Sequence, residues 1–244
     1  MRRPAAPRSD DRGTTLVELL VTMIIATIVL AGTVAMSSGL QRTAAQIFAR
    51  QDQTDIGRQA GDRLTTTLRS AADTGPTGQL AMTCNSGCPG GAFLAASGSM
   101  TTFFASLNNT GATGPLKVTY TVPTTGSQTG HLLETAQTAT IVVAGSTYKF
   151  CDTSVGTCAA TTGTTRDLTP GTTIATTPPA FRYFDKDGTE LAPGGGALSA
   201  AQLGQVMSVE LTLSVQRQGA TTTDPTTYVA RIDLPNQQAV LAPR

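Results

Sequence analysis

Tryptophan is absent from this 244-residue chain, histidine occurs once, cysteine four times, and aromatic residues make up only 5% of it. A single histidine, His131, argues against metal centres or proton relays built on paired imidazoles. It stands beside Leu132, Leu133 and Glu134 and reads as a structural or surface residue. GxSxG, HExxH, a Walker loop and a dinucleotide-binding glycine run are all missing, so no motif points to an enzyme or to a cofactor. Charge is scarce as well, with 17 basic residues against 16 acidic ones and a net charge of +1. Nucleic-acid binding usually shows as a basic face or a high pI, and none is expected here.

The scarcity of charge is most pronounced in one place. From Leu19 to Gln41 no side chain is charged. About 20 apolar-dominated residues at roughly 1.5 Å rise each cross a hydrocarbon core of about 30 Å, so this stretch predicts a membrane helix. Arg2, Arg3, Arg8 and Arg12 precede it, which favours a cytoplasmic leader and places everything after Arg42 on the far side. A secretory signal has an apolar centre of about 7 to 15 residues and a small-x-small cut site, and this segment is too long for one. A plain single-pass anchor fits the length but leaves Gly13 and the lone carboxylate, Glu18, without a role. That carboxylate costs about 2.5 to 3.5 kcal/mol if central in lipid and less near the interface.

The segment Arg12 to Arg42 resembles the N-terminus of type IV prepilins and pseudopilins, in which a prepilin peptidase cuts after a glycine and the fifth mature residue is glutamate. Here Gly13 matches the cut site, Thr14 becomes the new N-terminus and Glu18 falls on the fifth position. The resemblance implies that Glu18 meets the freed amine of Thr14 on a neighbouring subunit. Its implied partners are other pilin or pseudopilin subunits, the prepilin peptidase and membrane lipid, with an assembly ATPase driving the process. Most relatives start the mature chain with phenylalanine rather than Thr14. Many carry a kinking proline where Ala35 stands, so no kink is expected. Ala31, Ala35 and Gly39, four apart, form a small-residue stripe open to another helix or simply part of an apolar one. Thr22, Thr27 and Thr33 can return their hydroxyls to carbonyls one turn back.

Helical periodicity continues past the membrane segment through Leu40, Ala44, Ile47, Ile56, Ala60, Leu64, Leu68 and Ala71. Arg50, Asp52, Asp55, Arg58, Asp62 and Arg63 occupy a solvated face. The expected helix spans roughly 15–72, ended by the Gly and Pro of 73–78 and weakened by Gly57 and Gly61 at about 1 kcal/mol each. Beyond it the period changes to 2. Leu116, Val118, Tyr120 and Val122 share a face, as do Met207, Val209, Leu211, Leu213 and Val215, and Tyr228, Ala230, Ile232 and Leu234. Such strands form an antiparallel sheet with one buried face, which the amphipathic half of the helix would cover. Weaker strands are expected at 92–96, 100–105, 139–143, 147–151 and 181–184, and a long loop over 159–179.

The predicted fold class is therefore α+β and pilin-like. Its organisation is a leader over 1–13, a transmembrane and assembly half-helix over 14–41, an amphipathic half-helix over 42–73 and an extracytoplasmic β-rich domain over 74–244. Cys84 with Cys88 and Cys151 with Cys158 suggest two disulfides in an oxidising compartment, local pairing being the first of three connectivities and a four-cysteine zinc site the rival. The run Phe181 to Gly188 reads as a strand entering a tight turn. Similar segments occur in J-type minor pseudopilins and W-type minor pilins. Asp185, Asp187 and Glu190 are the calcium alternative to that turn, although Gly188 comes too early for an EF-hand loop. Asn108 to Thr110 is a glycosylation triplet that mostly marks a surface loop. The functional expectation is a structural filament subunit, a minor pilin or pseudopilin of a pilus or secretion system. The alternative is a membrane-anchored extracytoplasmic binding domain that does not polymerise.

Overall fold

The computed structural model describes residues 15–72, 91–107, 115–138, 140–143, 147–150, 163–192, 196–219 and 224–236. One 54-residue helix, α1 (Leu16–Arg69), opens the chain. Eleven strands and one short helix follow among the described residues: β1 (Phe93–Ala96), β2 (Met100–Ala105), β3 (Leu116–Thr121), β4 (Leu133–Thr138), β5 (Thr140–Val143), β6 (Thr147–Lys149), β7 (Gly163–Asp167), β8 (Thr172–Ile174), β9 (Phe181–Phe184), α2 (Ala200–Leu203), β10 (Ser208–Arg217) and β11 (Thr226–Asp233). Contacts divide the chain into two compact units, Met1–Phe48 and Ala49–Arg244, with the boundary inside α1.

In the first unit, α1 carries no charged side chain from Leu19 to Gln41, and all its side chains up to Phe48 are exposed except the half-buried Ala44. The second unit is built on two antiparallel sheets. One has the order β1-β2-β3-β4-β7, and the other joins β11 to β10, whose far edge is shared end to end by β8 and β9. On that edge Ser208–Leu211 of β10 pair with β9, and Val215–Arg217 pair with β8. The strands β5 and β6 form a separate hairpin.

The period-2 readings hold where the strands carry apolar residues on one side. Val209, Leu211, Leu213 and Val215 of β10 are wholly buried. In β11, Tyr228, Ala230 and Ile232 turn inward while Thr227, Val229, Arg231 and Asp233 stay exposed. Aromatic rings join the two sheets: Phe93 lies 5.7 Å from Phe103 and meets Tyr183 edge-on at 6.2 Å. The Tyr183 hydroxyl, deep in this cluster, donates toward the carbonyls of Ser97 (3.1 Å) and Met100 (3.2 Å). Burial raises its pKa well above the ordinary tyrosine range.

From Ala49 onward α1 buries one stripe, including Gln53, Gly57, Ala60, Leu64 and Leu68 at the spacing of a single helix face. Burying a leucine side chain is worth about 1.5 to 3 kcal/mol, so Leu64 and Leu68 dominate this contact. The stripe begins later than periodicity suggested, because Leu40 and Ile47 are exposed. Gly57 and Gly61 have a purpose that helix propensity alone conceals. A β-carbon on Gly61 would lie 2.3 Å from the Tyr228 ring, and one on Gly57 would lie 3.5 Å from a Val215 methyl. Small residues let α1 approach β10 and β11 closely.

Three strands fall where no strand was expected. The strands β7 and β8 occupy the stretch read as a loop over 159–179, and β4 follows His131. The sequence GTTRD of β7 is polar throughout and largely exposed, as an edge strand can be. In β4 the buried position belongs to Glu134 rather than to an apolar residue, so alternation gives no signal. The helix terminator at 73–78 lies outside the described residues.

Candidate functional site

The N-terminal unit concentrates the residues singled out by sequence. Thr15 precedes the first helical residue, and the Glu18 amide donates to its carbonyl at 3.0 Å and its hydroxyl at 3.4 Å. The carboxylate therefore belongs to the first turn, near the positive end of the helix dipole, where a negative charge is favoured by about 0.3 to 1 kcal/mol. Among the described residues nothing pairs with it. Gly13 and Thr14, as well as Cys84, Cys88, Cys151, Cys158 and the Asn108 triplet, lie outside the described residues.

Along the apolar half four of the hydroxyls are satisfied within the helix. Thr22, Thr27 and Thr33 donate to the carbonyls of Leu19, Ile24 and Leu30, all at 2.8 Å, and Ser38 donates to Ala35 at 2.9 Å. A hydroxyl returned to its own helix adds little polarity, which suits lipid surroundings. Gly39 has no side-chain neighbour near its would-be β-carbon, so in this chain alone the small-residue stripe meets nothing.

The second unit holds polar clusters that the sequence did not reveal. Glu134 is almost wholly buried and is held by three donors: Arg63 through Nε and Nη2, both at 3.0 Å, and the Tyr120 hydroxyl at 2.8 Å. Burial pushes this carboxyl up, but the bonds and charge of Arg63 outweigh it, leaving Glu134 below the usual carboxylate range. Arg63, expected on a solvated face, ties α1 to β4 instead. The only available sequence signal was a glutamate standing in a leucine-flanked run. Tyr120 is raised by burial in the same cluster.

His131 Nδ1 lies 2.7 Å from Asp167 Oδ2, and Asp167 Oδ1 accepts the Thr169 amide at 2.9 Å. Thr169 Oγ1 in turn accepts the Leu132 amide at 2.9 Å, so His131 belongs to a clasp at the start of β4, as its structural reading expected. In the turn after β9, Asp185 accepts the amides of Asp187 (2.9 Å) and Thr189 (2.8 Å), and Gly188 takes φ +78°. Asp187 pairs with Lys186, and Glu190 pairs with Arg182, which lowers the Glu190 pKa. These carboxylates are engaged in building a turn. Among the described residues no group of three or more His, Cys, Asp or Glu side chains is placed to hold a metal.

Taken together, the class is a protein with one helix long and apolar enough to cross a membrane, followed by an antiparallel β-sheet domain packed on that helix's amphipathic continuation. Residues 8–34 match the model of the prokaryotic N-terminal methylation motif, which is typical of type IV pilins and pseudopilins. Motif and fold support membership in the prepilin and pseudopilin superfamily. No curated protein and no solved structure matches the chain.

Proposed function

We propose that this chain is a minor pilin or pseudopilin, a structural subunit of a type IV pilus or a type II secretion filament. A prepilin peptidase cuts it after Gly13. The apolar half of α1 then holds it in the cytoplasmic membrane, with the β domain on the outer side, until helix packing draws it into the filament. The freed amine of Thr14 on one subunit neutralises Glu18 of the next. Run Phe181 to Gly188, with its strand and carboxylate-capped turn, supports the similarity to J-type and W-type minor subunits.

The observation that carries this reading is the position of Glu18. It is the only charge in the first turn of a helix whose next 23 residues carry none, inside the matched methylation motif. A carboxylate there needs a cation once the turn enters lipid, and the new terminus at Thr14 of a neighbouring subunit supplies one. Mass spectrometry of the membrane-extracted protein should find Thr14 as the first residue. Glu18→Ala should abolish incorporation into filaments while membrane insertion persists. A chain still starting at Met1 in cells with active peptidase leaves only a tethered binding domain, and Glu18→Ala entering filaments normally overturns the contact between Glu18 and the freed amine.

A further inference from the structure

The outward face of β9–β10–β11, opposite the side covered by α1, carries a cross-strand row of alternating charge. Arg182 of β9, Glu210 of β10 and Arg231 of β11 stand opposite one another in register. Arg182 is paired on both sides: it bonds Glu190 through Nε (2.9 Å) and Nη2, and Glu210 through Nη1 (2.8 Å). Arg231 is held differently. Its guanidinium lies over the Phe184 ring at 4.0 Å, and its Nε donates to Ser208 Oγ at 3.2 Å. Among the described residues no carboxylate pairs with it. Stacking and one hydrogen bond fix the plane of the group, and one Nη lies beside the turn at Gly188. On this exposed residue the two Nη groups make no bond among the described residues, which leaves them free to take a carboxylate in two parallel bonds.

Two residues along the same face stands Val229, 60% exposed and the one exposed large hydrophobic residue among the described residues beyond Phe48. A rigid arginine beside a bare apolar side chain, ringed by Thr227, Ser214 and Asp233, is the arrangement found at energetic centres of protein contacts. We infer that this face docks the extracytoplasmic domain of a neighbouring membrane-anchored subunit, which brings an aspartate or glutamate to Arg231 and a small apolar group to Val229. The patch measures about 25 by 15 Å, under half of what one partner gives to a standard interface. A contact that small holds only partners already kept close by other means, as anchored neighbours are, and to that extent the inference rests on the filament reading.

The test uses the full chain in its own membranes, with a photo-crosslinking amino acid at position 229 and a control probe at position 125 in the exposed loop after β3. The position-229 probe should give one discrete polypeptide adduct, mapped next to an acidic residue on the other chain. Arg231→Gln should cut its yield about tenfold, the loss of one charge-assisted pair, and Arg231→Lys should restore part of it. Melting of each variant in detergent separates loss of contact from loss of fold. Because Arg231 could serve only as a cover over Phe184, an adduct insensitive to Arg231→Gln overturns the inference, as does labelling of lipid alone. The N-terminus of the same sample is read by mass. No adduct from chains beginning at Thr14 refutes this contact alone, whereas no adduct from chains beginning at Met1 refutes the filament reading and the contact with it.

Discussion

The two stretches of α1 are continuous in backbone and opposite in chemistry. From Leu19 to Leu40 the side chains are uncharged and mostly apolar around the whole circumference and open to the surroundings, and from Ala49 a single stripe is buried against the sheets. A helix that is apolar all round needs an apolar solvent, whereas one that is apolar on a stripe needs a protein surface. Hydroxyls cross this division: Thr22, Thr27, Thr33 and Ser38 of the first stretch and Thr54, Thr66 and Thr67 of the second all close onto carbonyls of their own helix. What marks the second stretch is the buried Gln53, met by Thr226 of β11 at 3.2 Å. Identical secondary structure thus serves two solvents, and composition selects which.

Truncating one leucine in each stretch gives the largest contrast. Leu64→Ala should destabilise the folded domain by about 2 to 5 kcal/mol, because the side chain is wholly buried and leaves a cavity. Leu30→Ala, at a position 64% exposed, should leave domain melting unchanged. Thermal denaturation of the full chain in detergent, followed by the signal of the sheets, measures both. Equal losses at the two positions would mean that the first stretch is also packed within the chain.

Glu134→Ala comes next. It removes three bonds and strands the Tyr120 hydroxyl and the Arg63 guanidinium, at a cost of about 2 to 3 kcal/mol. The loss is smaller than for a fully buried pair because the Arg63 side chain is 45% exposed. The depressed pKa of Glu134 sets the direction of the pH dependence. Its contribution is fully present above the unfolded carboxylate pKa of about 4.3 and is lost as pH falls through the lower folded value. Acid titration of melting should therefore be shallower at its low end in Glu134→Gln than in the native chain.

What the sequence made legible follows from this division. The membrane half announced itself through its charge-free run, and β10 and β11 did so because apolar and polar residues alternate along them, strictly in β10 up to Gln216 and in β11 with Val229 as the exception. Glu134 hid β4, since a buried carboxylate inverts the pattern that marks a strand, and its partner Arg63 lies 71 residues away. The edge strand β7 hid because its pairing with β4 needs no apolar side chain. At the N-terminus the methylation motif was readable from Gly13, Glu18 and the apolar run behind them. The stack of Arg231 on Phe184 was not, because it depends on the register that brings β9 and β11 to the same end of β10.

The smallest effects lie at the two glycines of the packed stretch, and they should differ in sign. Gly61→Ala places a methyl 2.3 Å from Cε1 of the Tyr228 ring, so the ring or the helix must shift, and overpacking of this kind costs about 1 to 3 kcal/mol. Gly57→Ala meets a Val215 methyl at 3.5 Å, an ordinary contact. It also removes the backbone freedom that makes glycine a poor helix residue, so it should raise stability by about 0.5 to 1 kcal/mol. Residues one turn apart on the same face would then respond oppositely in the same melting experiment. Loss of stability at both would mean that the helix lies closer to β10 along the whole stripe, with the tyrosine no longer the point of nearest approach.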